Sequence, residues 1–473
     1  MTALDIGIIV AYFIFILVVG IISYRKVKNE EDYSVAARSL GYPLVMGAIT
    51  ATAIGSGATM GTAGLSYNLG IAALWSVIAY AVGLIGFSFI AFVIRRIKYW
   101  TIPEVLKARY GNATRVISAI FLLLGLIALF GVQVAALGTV FTATGNFYGI
   151  DYQLAVVIAG AVMIAYCFAG GMFALAYTEI IQAILLLVIL GIALPIFLLN
   201  GVQFSDVAAK VPPSMLDLMG GVPPATILAW FLTMTSICFI DVSLWQRASS
   251  SKSETVARRS IWVSTLLYFG YSVAIVLIGI LGFYYYPNLV KDYGTADVVI
   301  PVMIMNHLPT VMIGLSIAAI LAVIMSTAAS VLMVAGMTVS RDIARFFRPS
   351  MSEKSGLFTA RVAVILIGVF GITFALLMRG IFDMMLLSFA LFIAVGFVPT
   401  MAALFWNKAT NAGAIASMIG GGLTVIPLYA FNKPFGIEPI FASLVVSFLL
   451  MVIVSLATYK KGVTTKKLSE LEN

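Results

Sequence analysis

The stretch AAILAVIMSTAASVL, residues 318–332, is apolar enough to sit in hydrocarbon, yet adjacent hydroxyls, Ser326 and Thr327, lie at its centre. On a helix, Val323 stands three and four residues before them, so its backbone and both side chains share one face. Oxygens gathered on one face can do polar chemistry in an oily setting. They can also serve only the helix, each hydroxyl bonding back to the carbonyl three or four residues earlier. A second stretch, GAITATAIGSGATMGTAGLSYNLG at 47–70, interleaves Gly55, Gly57, Gly61 and Gly64 with Thr50, Thr52, Ser56, Thr59 and Thr62. Glycine at this density weakens a helix and lets groups approach the backbone. Close helix packing through small residues would use the glycines but has less need of five hydroxyls.

Other chemistries are poorly supplied. Cys167 and Cys238 both fall in apolar runs, leaving no disulfide framework or CxxC metal site. His307 is the single histidine, so a histidine metal cluster or acid–base dyad is not available. No Walker motif marks ATP as the power source. The expectation is a protein that is not an enzyme.

The elements that must carry these residues are membrane helices. A chain of 473 residues with 62% hydrophobic and 10% charged content is too apolar for a soluble globule. Thirteen apolar runs approach or exceed the ~20 residues that span a bilayer: about 5–24, 42–67, 70–94, 113–142, 151–169, 171–199, 222–243, 258–286, 310–337, 357–379, 382–405, 411–430 and 437–459. MTALD offers no basic region of a cleaved signal peptide, so the first run reads as a retained helix. With the N-terminus outside and the C-terminus cytoplasmic, only Lys210, Lys291, Arg379 and Lys433 of the 28 Lys and Arg fall outside. That asymmetry follows the positive-inside rule. The net charge of +9 then reflects topology and contact with the lipid bilayer, not nucleic-acid binding. A polytopic chain with short loops and no catalytic cluster reads as a secondary transporter of the cell membrane, with channel, sensor and membrane enzyme as the competing classes.

Five motifs, in order, carry a family resemblance: GLSYNLG after the glycine-rich stretch, AGGMFALAYTEIIQ at 169–182, DVSLWQRASSSKS at 241–253, VIPVMIMNHLP leading into AAILAVIMSTAAS, and ALFWNKATNAGAIASMIGG at 403–421. The chain resembles the sodium:solute symporters, the family of bacterial proline, pantothenate, sialic acid and galactose carriers and of animal sodium–glucose carriers. The resemblance implies an all-α polytopic membrane protein with 13 transmembrane helices and a leucine-transporter-type five-plus-five inverted repeat. Residues 1–41 would hold an extra helix and a cytoplasmic loop, 42–199 the first repeat, 200–221 an extracellular loop, 222–405 the second repeat, and 406–473 two further helices and a tail. Run seven lacks the interior glycines of its counterpart, run two, so its break is expected around Thr233, Thr235 and Ser236.

The same resemblance implies a co-transported sodium ion held by the carbonyls of Ala51, Ile54 and Val323 and the hydroxyls of Ser326 and Thr327. Five neutral oxygens suit a hard cation that must later be released. Glu179, where many relatives carry Asp, is implied as a waypoint on the ion exit path; a helix-end carboxylate satisfied by water or a nearby Arg is the alternative. For Asp241 a structural link to Arg247 is expected. Some proline carriers have an Asp where this chain has Ala53, so no second, carboxylate-bound sodium is expected there.

Candidate solute contacts are Ser56 and Thr59 at the break, Trp75 in run three, Gln133 in run four and Thr233 in run seven. Trp75 could instead be an interfacial anchor, and Gln133 an interhelical hydrogen bond. One sodium crossing 100 mV down a tenfold gradient supplies about 2.3 plus 1.4 kcal/mol, whereas a monoanion would cancel the electrical part. The reading is sodium-coupled import of a small polar nutrient, neutral or zwitterionic, by alternating access. Proton coupling through Glu179 is the alternative mechanism, but proton-coupled relatives on this architecture often place a Lys at the sodium position and no core run has one. A channel would want rings of charge or filter loops. Oligomeric state is not legible.

Overall fold

The computed structural model describes residues 2–24, 38–97, 99, 101–145, 151–169, 172–378, 380–431 and 438–460. The described chain is helical, with one isolated bridge between Leu40 and Ser251. The principal helices are α1 (Ala3–Tyr24), α2 (Tyr42–Ala53), α3 (Thr62–Leu69), α4 (Leu74–Ser88), α5 (Asn112–Gly145), α6 (Tyr152–Ala169), α7 (Met172–Val188) and α8 (Pro224–Ile240). They continue with α9 (Val242–Ser250), α10 (Glu254–Tyr285), α11 (Val299–His307), α12 (Met312–Met337), α13 (Glu353–Leu377), α14 (Ile381–Phe405), α15 (Asn411–Ala430) and α16 (Pro439–Thr458). Each of the thirteen apolar runs is helical over most of its described length. Ten stretches among the described residues are long and apolar enough to cross a membrane; the helices at runs one, two and five fall outside that count.

The outer face is what a bilayer solvates. Ile184, Ile196, Phe358, Phe370, Leu377 and Phe448 are exposed large apolar side chains, an arrangement water would penalise and lipid does not. At the centre stands α12, whose most apolar window is 94% buried. Helix α1 is fixed to its start by one carboxylate. Asp5 Oδ1 accepts the Val311 and Gly314 N–H groups at 2.9 and 3.1 Å, supplying partners for donors that a helix start leaves free.

Two helices are interrupted. Between α2 and α3 the regular ladder stops at Ile54, and a π-helical turn, Gly57–Gly61, precedes α3. At Gly57 the backbone runs against α14: a Cβ there would sit 2.1 Å from Met385 Sδ. The second interruption falls at Asp241, between α8 and α9, and not at Thr233–Ser236, which lie inside the continuous α8. The cause is local. Asp241 has extended backbone (φ −66°, ψ 113°), and its carboxylate accepts the Leu244 N–H at 3.0 Å, restarting the chain as a new capped helix. An N-cap aspartate does here what glycine does in the first break.

Candidate sodium and solute site

Thr327 of the α12 hydroxyl pair faces the first break. A Cβ built on Gly55 would lie 3.5 Å from Thr327 Oγ1 and 3.6 Å from the Thr52 carbonyl oxygen, so Thr327 stands close against the break. Ser326 Oγ and Thr327 Oγ1 both donate to the Val323 carbonyl at 3.0 Å. Back-bonding is therefore real, but it spends only the hydroxyl protons and leaves the oxygen lone pairs for a cation. On the opposite side, no backbone hydrogen bond joins the Gly55 N–H to the Ala51 carbonyl, where an unbroken helix would make one. The Ile54 carbonyl accepts the Thr59 hydroxyl at 3.0 Å, and that hydroxyl also meets Tyr271 Oη at 3.0 Å. Ala51, Ile54, Val323 and Ser326 are buried, and Thr327 is partly open to a cavity. The result is a set of neutral oxygens on two elements, the donor type a hard monovalent cation takes.

That cavity, of ≈ 70 Å³, is bounded by both interruptions: Thr52, Ala53 and Gly55 to Ala58 on one side, Asp241 and Ser243 on the other. Thr327, Gln133, Tyr80 and Tyr268 complete its polar wall, with Phe382, Met385 and Phe389 giving an apolar one. Ser56 Oγ and Gln133 Oε1 are buried without a hydrogen-bond partner. Orphaned acceptors and donors beside a cavity are the groups a polar ligand satisfies.

Of the five expected solute contacts, Ser56 and Gln133 line this cavity, and the other three stand elsewhere. Thr59 turns to the Ile54 carbonyl and Tyr271 Oη. Trp75 donates its indole N–H to the Leu218 carbonyl at 3.0 Å, tying α4 to the loop at 200–221. Thr233 is buried in α8, whose cavity-lining residue is its neighbour Met234.

Glu179 forms a buried ion pair with Arg247. Arg247 also donates to Ser330 Oγ at 2.9 Å and to the Ser243 carbonyl at 3.2 Å. Ser330 lies one turn along α12 from Ser326, so the ion pair meets the same helix one turn from the hydroxyl pair. The expected link between Asp241 and Arg247 is thus replaced, because the guanidinium is committed to Glu179. This leaves Asp241 as a cavity carboxylate that the sequence reading had assigned to structure. Its signal was present as the lone acidic residue opening DVSLWQR, a capping residue after an apolar run.

Two interrupted helices bordering one cavity, with hydroxyls across one break, are the arrangement of membrane transporters built on broken helices. The sodium:solute symporter family model matches residues 33–421, and the chain belongs to that family. A sodium/proline symporter of Staphylococcus aureus is 26% identical over 496 residues, covering 96% of this chain and 93% of the relative. A Na+-coupled sialic acid symporter, solved in a substrate-bound outward-open state, superposes with a TM-score of 0.80 at 20% identity, covering 98% of this chain and 99% of the other. A nucleobase-cation-symport-1 family transporter in a closed conformation gives 0.59 at 14% identity, covering 93% and 97%. The fold is the leucine-transporter type, the chain is a multi-pass membrane protein, and its activity is sodium-coupled symport.

Proposed function

We propose that this chain imports a small polar organic nutrient, neutral or zwitterionic, with one sodium ion per solute, by alternating access in the cell membrane. The N-terminus faces out and the C-terminus faces the cytoplasm, with repeats at 42–199 and 222–405 rocking about the central cavity. Ala51, Ile54, Val323, Ser326 and Thr327 hold the ion, and Ser56 and Gln133 contact the solute. The Glu179–Arg247 pair, one turn further along α12, marks the ion's route to the cytoplasm.

The carrying observation is the approach of Thr327 to Gly55, which joins the hydroxyl face of α12 to the break where the Ala51 carbonyl is free. Sodium bound there bridges the two elements and favours the state in which they touch, which couples ion and solute without a shared contact. Replacing Ser326 and Thr327 together by Ala is expected to abolish sodium-stimulated uptake in proteoliposomes while leaving the detergent elution profile unchanged. Uptake with unaltered sodium dependence would place the ion elsewhere.

A further inference from the structure

The central cavity has one carboxylate and no cationic side chain in its wall. That carboxylate is Asp241. One oxygen accepts the Leu244 N–H, and no ion pair joins it to a lysine or arginine among the described residues. The nearest candidate, Arg247, is engaged by Glu179, Ser330 and the Ser243 carbonyl. A carboxylate within a membrane span that makes no ion pair of its own is costly, and such groups mark sites for mobile charge. We propose that Asp241 is the recognition group for a protonated amine on the transported solute. This rests on the symport reading above and narrows it from neutral or zwitterionic solutes to those bearing an ammonium group.

The surroundings fit that ligand. Tyr80 and Tyr268, rings 5.0 Å apart, line the same cavity as Asp241, and tyrosine rings attract ammonium groups electrostatically. Gln133 Oε1, buried and unpartnered at the cavity wall, is an acceptor for a second ammonium proton. Ser56 Oγ, orphaned at the glycine-rich break, can donate to an oxygen at the solute's other end. Charge balance favours a zwitterion over a free amine. One sodium, one ionised Asp241 and a zwitterion sum to zero in the occluded site, whereas a free amine leaves one uncompensated positive charge.

The test uses purified full-length protein and a panel of matched solutes: amino acids, their decarboxylated amines, their N-acetyl derivatives and their α-hydroxy-acid counterparts. L-alanine, ethylamine, N-acetyl-L-alanine and L-lactate form one such set; for L-proline the set is pyrrolidine, N-acetyl-L-proline and the ring-oxygen ether tetrahydrofuran-2-carboxylate. Thermal stabilisation is read in sodium and in potassium. Ammonium-bearing solutes are expected to be the only hits, with the N-acetyl and hydroxy-acid partners silent. Zwitterions outranking the free amines would support the charge balance, and amines alone would still support Asp241 as the ammonium site. Asp241→Asn keeps an N-cap acceptor and so the fold. It is expected to weaken binding of the best solute by about ten- to a hundredfold, the worth of a hydrogen bond to a charged group, and to leave stabilisation by sodium alone unchanged. Loss of sodium stabilisation instead would make Asp241 a second cation site and overturn the assignment. So would a hit lacking an ammonium group, or no hit among ammonium solutes. Should the variant misfold, the comparison of each amino acid with its N-acetyl form on the wild-type protein still decides. Ammonium-selective stabilisation that is equal in sodium and potassium would sink the coupled reading while supporting Asp241.

Discussion

The two helix breaks open the same cavity by opposite chemistry. At the first, glycines interrupt the ladder and expose carbonyl oxygens, so the break presents neutral acceptors to α12. At the second, Asp241 caps a new helix, so the break satisfies its own N–H groups and presents a formal negative charge. Neutral oxygens would give a weak seat for a cation that must leave on every cycle, and a carboxylate would give selectivity for a charged group on the solute. On the proposed reading, the fold separates the energy-supplying ion from the cargo by using carbonyl dipoles for one and an ionised side chain for the other.

The largest expected effect lies in the ion pair behind the second break. Glu179→Ala leaves the Arg247 guanidinium buried without its counter-ion, and such losses cost about 3–5 kcal/mol. Thermal melting in detergent should show it, and Glu179→Ala/Arg247→Ala should recover much of the loss, because no charge is then stranded. A double variant as unstable as the sum of the two singles would mean that the pair contributes packing alone. Glu179→Asp, which keeps the charge, should retain most uptake.

An intermediate effect separates the two roles of Asp241. Asp241→Ala removes both charge and cap, and loss of a cap costs about 0.5–2 kcal/mol. Asp241→Asn should melt close to wild type. Equal destabilisation by both would show that the second break is held by something other than its cap.

The smallest effect tests the first break. A Cβ at Gly55 meets ordinary van der Waals distances, 3.5 Å at the nearest, and Gly55 has no left-handed backbone requirement. Gly55→Ala should therefore fold and transport. It should raise the sodium concentration for half-maximal uptake several-fold by placing a methyl group against Thr327 Oγ1 where the ion would sit, with little change at saturating sodium. An unchanged sodium requirement would move the ion away from this contact.

How much of this was legible in the sequence depended on whether the cause was local. The apolar runs, the glycine-rich break and the hydroxyl pair are local signals, and the structure has helices or an interruption at those places. The second break was misplaced because its cause is a cap formed by one aspartate, which composition does not announce as glycine does. Arg247 was assigned to Asp241, six residues away, whereas its partner Glu179 lies 68 residues away on another helix, a pairing that only packing creates. Trp75 illustrates the same limit: its residue type fits both a solute contact and an anchor, and the position of Leu218 puts it at the loop.

The central claim is that one sodium, seated between the first break and α12, drives uptake, while the carboxylate at the second break serves the solute. Initial uptake into proteoliposomes against external sodium tests it most directly, read together with the current carried per solute. A Hill coefficient near one is expected and, for a zwitterionic solute, one positive charge inward per cycle. That charge contributes about 2.3 kcal/mol to accumulation at −100 mV. A Hill coefficient near two that falls to one in Asp241→Asn would contradict it, for the second break would then hold an ion and not the amine.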